Sequence, residues 1–131
     1  MTHTRSRVLR SLLAVTLAAG GMTAATAVPA AAAPARAEAC YDHSVGYETV
    51  RSGELHRWPR TGWATTSRYC ADINVKANFM TDVRVCFRKT GRCNSWKTAY
   101  GSTWIEAATG VLDGTSYILQ FSSYSAGLAS A

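Results

Sequence analysis

Glu54, His56 and Arg57 are the side chains of this sequence best suited to acid–base chemistry. A carboxylate, an imidazole and a guanidinium that meet in one cleft can cleave a phosphodiester or a glycosidic bond, as in a small ribonuclease. Glu54 and His56 are two residues apart, so they would share one face of a strand. Alternating polar residues on the wet face of a strand explain the same pattern without catalysis. A small secreted hydrolase that uses His56 and Glu54 is therefore the alternative hypothesis, and a protein that is not an enzyme is the main one.

Other catalytic and metal chemistries find little support in the sequence. Asp42-His43-Ser44 has the residue types of a serine triad, but neighbours on one extended segment point to opposite sides and cannot form the relay. The spacing of Cys86 and Cys93, with few histidines elsewhere, matches no zinc pattern. Glycine-rich phosphate loops are absent as well. We expect neither a metal nor a cofactor.

Aromatic side chains are the distinctive chemistry of the chain, with four Trp, six Tyr and three Phe. Trp58 and Trp63 flank Arg57, Pro59, Arg60 and Gly62 in the stretch RWPRTGW, which has the composition of a turn. A tryptophan on a loop beside arginines is typical of a binding hot spot or of a platform on which sugars stack. The candidate binding residues are Trp58, Trp63, Arg57 and Arg60; a small core under the loop is the other interpretation of the two tryptophans.

Residues 1–37 have the pattern of an export signal. The first ten residues carry three arginines and no acid, and an apolar, alanine-rich run follows from Ser11 to about Val28. A cut after Ala37 removes 37 of the 131 residues and leaves one domain, 38–131. We therefore expect a secreted, extracellular monomer without a membrane segment after the signal is removed.

Signal removal changes the electrostatics of the chain. The precursor has fourteen basic and eight acidic residues, a formal charge of +6. Four of the basic residues leave with the signal and all the acids stay, so the secreted domain carries only +2. This excludes an inference of nucleic-acid binding from the high precursor charge. Arg84, Arg88, Lys89 and Arg92 would still form a basic tip, either a solvated surface or a site for an acidic partner.

Four cysteines in an exported chain predict two disulfides. Cys86 and Cys93 flank a segment with a Thr-Gly step that suits a turn, so a local bridge is the simplest pairing and leaves Cys40 with Cys70. The pairing of Cys40 with Cys86 and of Cys70 with Cys93 remains the alternative.

Alternating apolar residues predict an all-β fold organised around Tyr69 to Phe87. Ala71, Ile73, Val75, Ala77 and Phe79 alternate with polar residues, and Val83, Val85 and Phe87 repeat the period. With Met80-Thr81-Asp82 as a loop, we expect a β-hairpin that places Ala77 near Val85 and buries Phe79. Short strands elsewhere, with an Asp113-Gly114 turn, predict an antiparallel β-sandwich or barrel of six to eight strands. The serine- and alanine-rich tail 122–131 is expected to fray.

The export signal followed by a short two-disulfide β domain resembles the small exported proteins of streptomycete-type bacteria. Tyr69-Cys70 with alternating Ile73 and Val75, then Val85-Cys86-Phe87, is similar to the layout of tendamistat-like α-amylase inhibitors over about a third of the secreted chain. That resemblance implies a six-stranded sandwich and inhibition of an extracellular hydrolase. The exposed Trp-Arg-Tyr of that family does not occur here, and Cys93 lies in mid-domain.

The sequence therefore predicts a secreted, non-catalytic domain that binds an extracellular protein or polysaccharide. Inhibition of a hydrolase is one form of this function, and attachment to a cell wall or glycan is another.

Overall fold

The computed structural model describes residues 39–131, and these form two antiparallel sheets packed face to face. The predicted export signal, residues 1–37, lies outside the described residues. The strands are β1 Val45–Glu48, β2 Val50–Ser52, β3 Leu55–Trp58, β4 Ala64–Thr65, β5 Ile73–Ala77, β6 Thr81–Phe87, β7 Arg92–Cys93, β8 Lys97–Ala99, β9 Trp104–Ala108, β10 Ser116–Phe121 and β11 Ala126–Ser130. The first sheet has the order β1-β11-β5-β9 and the second β2-β3-β10-β6-β7, with β4 on β10 and β8 on β6. The predicted all-β class is confirmed. The additional strands within residues 39–131 are pieces of two or three residues, too short to have an alternating pattern of their own.

The central hairpin expected between Ala71 and Phe87 is wrong. Residues 73–77 and 81–87 are strands, as their alternation predicts, but β5 pairs with β11 and β9, whereas β6 pairs with β10, β7 and β8. Residues 78–80 carry the chain from one sheet to the other. The period of two determines which side chains face the core, and the apolar side chains of both strands do face the core. The period does not determine which strand lies next to each of them. Phe79, expected in the core, lies on this crossing and is 79 % exposed.

The tail expected to fray is instead an inner strand, because β11 pairs with β1 on one side and β5 on the other. Gly127 lies opposite Tyr47 and Ala77 in these ladders. A Cβ atom at Gly127 would overlap the carbonyl oxygen of Lys76, so the two backbones approach closely there. In a solvated tail, a run of small residues indicates disorder. In this chain the same small residues allow the two backbones to pack closely.

The core lies between the two sheets. The first sheet contributes Ile73, Val75 and Ala77, and the second contributes Val83, Val85, Leu119 and Phe121, all with no exposed surface. The ring of Tyr47 stacks on that of Phe121 with centroids 5.2 Å apart. At about 25 cal/mol per Å² of buried apolar area, this layer is the main favourable contribution to folding.

Both disulfides have the predicted simple pairing, Cys40–Cys70 and Cys86–Cys93. Cys86 and Cys93 lie directly opposite each other on β6 and β7. Cys40 belongs to a helical turn at 39–42, and its bridge attaches this turn to the segment before β5. The Ser130 hydroxyl donates to the carbonyl oxygen of Cys40, so β11 and this disulfide support one another. In residues 39–131, no helix has the length and apolar character needed to cross a bilayer.

Candidate binding site

An open groove of about 530 Å³ lies at one end of the sandwich. Its aromatic lining consists of Trp58, Trp63, Tyr69, Tyr117 and His43, and its remaining lining is made of small apolar and hydroxyl side chains. No Asp, Glu, Lys or Arg lines it. The side chains of the groove can therefore offer ring faces and hydrogen bonds, and no Asp or Glu side chain is present for acid–base catalysis.

Trp58 forms part of both the groove and the core. It lies opposite Leu119 in the β3–β10 ladder, and directly paired residues project to the same face, so its side chain points inward. Its ring is tilted against that of Tyr47, with centroids 6.4 Å apart, and it packs against the core cluster. The half-buried Trp58 is thus fixed in position where it lines the groove.

Trp63 lies on the loop between β3 and β4 and is 41 % exposed. Arg57 braces this loop, because its Nε donates to the carbonyl oxygen of Pro59 at 3.0 Å and its Nη2 to that of Gly62 at 2.7 Å. Gly62 has a φ of +67°, a conformation that favours glycine. Arg57 therefore supports the loop that carries Trp63. Arg60 is exposed on the same loop and does not line the groove.

The other aromatic wall consists of stacked rings. The imidazole of His43 lies on the ring of Tyr69 with centroids 3.8 Å apart, and the guanidinium of Arg68 lies 5.2 Å from that ring's centroid. His43 follows the turn that contains Cys40, and Tyr69 precedes Cys70, so the disulfide brings the two rings together. Sequence reasoning missed both residues as groove components. The Cys40–Cys70 pairing was the signal that could have joined them.

Tyr117 provides a deeply placed phenol in the groove lining. It is only 2 % exposed, and burial raises its pKa to about 12. Its hydroxyl oxygen is not among the buried polar side-chain atoms that lack a partner within residues 39–131. A ligand that reaches this depth could accept or donate a hydrogen bond there.

The residues of the alternative catalytic hypothesis lie elsewhere. Glu54 is exposed in the turn before β3, and His56 is half-buried on β3, opposite Phe121. The Nδ1 atom of His56 is buried without a partner in residues 39–131, and the imidazole meets the ring of Tyr124 edge-on at 6.2 Å. Within the same part of the chain, no three His, Cys, Asp or Glu side chains come together as metal ligands.

The geometry of the groove is the main guide to function. Comparison of the chain with protein-family models, with curated proteins and with solved structures finds no match. Because a fold by itself does not specify an activity, the function has to be argued from the chemistry of the site.

Proposed function

We propose that this chain is a non-catalytic binding domain that works outside the cell, and that its aromatic groove binds a polysaccharide. The proposal depends mainly on one observation: Trp58, Trp63 and Tyr69 line one groove that no Asp, Glu, Lys or Arg side chain enters. The two disulfides support work in an oxidising, extracellular environment.

The groove fits the surface chemistry of a sugar chain. Each pyranose ring has apolar C–H faces, which pack on aromatic rings, and equatorial hydroxyls, which need hydrogen-bond partners at the edges. Thr61, Thr65 and Ser67 supply hydroxyl side chains beside the rings. Since no Asp, Glu, Lys or Arg side chain lines the groove, a neutral polysaccharide fits it better than a highly charged one.

An extended segment of a protein is the second candidate ligand. The loop that carries Trp63 is braced by Arg57 and exposes both Trp63 and Arg60. A rigid loop with an exposed tryptophan and arginine has the composition of a protein-binding hot spot. Inhibition of a secreted hydrolase would be one form of this function.

A glycan array followed by titration of the tryptophan fluorescence tests the proposal. We expect binding to neutral oligosaccharides, weakened at least about tenfold in Trp63→Ala. Trp104→Ala is the matched control, because Trp104 lies on the first sheet and does not line the groove. Equal binding by wild type, Trp58→Ala and Trp63→Ala would exclude the groove. An absence of binding to every glycan, together with Trp63-dependent inhibition of a hydrolase, would favour the protein ligand.

A further inference from the structure

The second sheet carries a basic surface that is separate from the groove. Residues 83–99 contain five basic side chains and no acidic one. Four of them, Arg84, Arg88, Lys89 and Arg92, lie on β6, in the turn after it and on β7, and we call this set with Trp96 the basic strip. None of the five residues of the strip lines the aromatic groove.

Arg84 is the fixed point of the basic strip. Its guanidinium lies 4.5 Å from the centroid of the Trp96 ring, and its Nε donates to Oε1 of Gln120 at 2.9 Å. A guanidinium held by one ring and one amide keeps its terminal N–H groups available in a defined plane. Neither neighbour is an acid, so the charge of Arg84 is oriented without being neutralised.

The charges of the two sheets differ in sign. Acidic Glu48 and Glu106 lie on strands of the first sheet, against a single lysine, Lys76. On β6 of the second sheet, the carboxylate of Asp82 accepts a hydrogen bond from Thr98 at 2.8 Å. The strands of the second sheet therefore carry more basic than acidic side chains, and an excess of positive charge attracts and orients an anionic partner.

Arg84 and Arg88 are four residues apart, about 13 Å along an extended chain, and both alternate with the core-facing residues of β6. Arg92 is paired with Phe87, so it projects to the other face of the sheet at its edge. Arg88 and Lys89 also line a shallow surface groove with Leu112 to Ser116, where Asp113 is the one carboxylate. A linear chain with several oxyanions can contact successive basic groups in this arrangement, whereas a single small anion would meet only one or two.

We propose that the basic strip binds an acidic polysaccharide, one whose repeating units carry sulfate or carboxylate groups. Nucleic acid fits less well. Only one aromatic ring belongs to the strip, and the guanidinium of Arg84 covers one of its faces, so little ring surface is left for stacked bases. This site does not depend on the aromatic groove, and either proposal can fail alone.

Calorimetric titration of the secreted domain with heparin oligosaccharides and with polygalacturonate oligomers tests the proposal. We expect at least one of these acidic glycans to bind, with an affinity that falls as salt is raised. Arg84→Ala should weaken binding about tenfold, since a charge-assisted, bidentate contact is lost. Arg88→Ala should also weaken it, and because Arg88 is exposed, this variant leaves the packing intact.

Trp96 acts in this proposal as a positioning residue for Arg84. Trp96→Ala should weaken binding of the acidic glycan, and Trp96→Phe should restore most of it, because phenylalanine still offers a ring to the guanidinium. Arg51→Ala is the matched control: it removes the same charge from β2, at the opposite edge of the same sheet. Its affinity should equal that of wild type.

Three results would overturn the proposal. The first is no binding of either acidic glycan at low salt. The second is an equal loss in Arg51→Ala and Arg84→Ala, because the effect would then be net charge alone. The third is binding of single-stranded DNA that is as tight as binding of the glycans and is weakened equally by Arg84→Ala. Binding of neutral sugars in the groove should be unchanged in Arg84→Ala, which separates this site from the proposed function.

Discussion

The carbonyl oxygen of Lys76 lies where a Cβ atom of Gly127 would have to be placed. This close approach joins β11 to β5 at the centre of the first sheet, opposite the ring of Tyr47. The packing of the sheet therefore depends on the absence of a side chain at one position.

We expect Gly127→Ala to lower the free energy of unfolding by at least about 2 kcal/mol, because a methyl group forced against backbone has no room to move. Urea unfolding measures the change. Gly46→Ala is the control, since nothing lies within 4 Å of a Cβ atom there, and it should stay within about 1 kcal/mol of wild type. Equal stability of the two variants would contradict the close approach.

Arg57→Met should loosen the loop that carries Trp63. The substitution keeps the apolar stem of the side chain but removes the two hydrogen bonds to Pro59 and Gly62. We expect faster deuterium uptake in residues 59–63 and a loss of about 1–2 kcal/mol in stability. Arg60→Met is the control: it removes a positive charge from the loop itself and should leave the uptake unchanged. Equal uptake in both variants would show that Arg57 is not a brace.

Tyr117 should make the protein less stable in alkali. Its pKa is raised to about 12 from 10.0, so the folded state keeps the phenol proton where the unfolded state loses it. The stabilisation is complete below pH 10 and is lost as the pH rises through 12. Between pH 9 and pH 12, we expect the free energy of unfolding of wild type to fall by about 2 kcal/mol more than that of Tyr117→Phe. Urea unfolding at each pH measures the difference. Parallel curves for the two proteins would contradict this assignment.

The two disulfides should differ in their effect on the groove. Loss of Cys40–Cys70, by a double substitution to serine, should cost about 3.7 kcal/mol and should separate His43 from Tyr69. Loss of Cys86–Cys93 should cost about 2.5 kcal/mol and leave the groove intact. Ligand affinity and thermal unfolding measure the two effects. Loss of groove binding only in the Cys86→Ser, Cys93→Ser variant would contradict the geometry described above.

Much of the fold was predictable from side-chain periodicity and chemistry. The alternation around Val75 and Val85 predicts two core strands, and the Thr-Gly step between Cys86 and Cys93 predicts the local bridge. The partner of each strand was not predictable. β5 and β6 would show the same alternation whether they paired with each other or lay in different sheets. Phe79 was wrongly placed in the core, because the alternating pattern continues past Ala77, where β5 ends.

The candidate site was predictable in part. Trp58 and Trp63 were recognised by their loop composition, and both line one groove. His43, Tyr69 and Tyr117 come to the same groove from three distant segments, and only the tertiary structure brings them there. Arg57 was expected at the contact surface, but two of its guanidinium nitrogens hold backbone carbonyls. A local sequence pattern cannot distinguish an arginine that binds a partner from one that supports a loop.

The place of β11 in the first sheet also affects when the molecule can fold. Residues 126–130 separate β1 from β5, so neither of those strands has its inner neighbour until that segment has been synthesised. Contacts between such distant parts of a chain form slowly. The first sheet should therefore be completed only after residues 126–130 have been synthesised, which makes its assembly a late step in the folding of the domain.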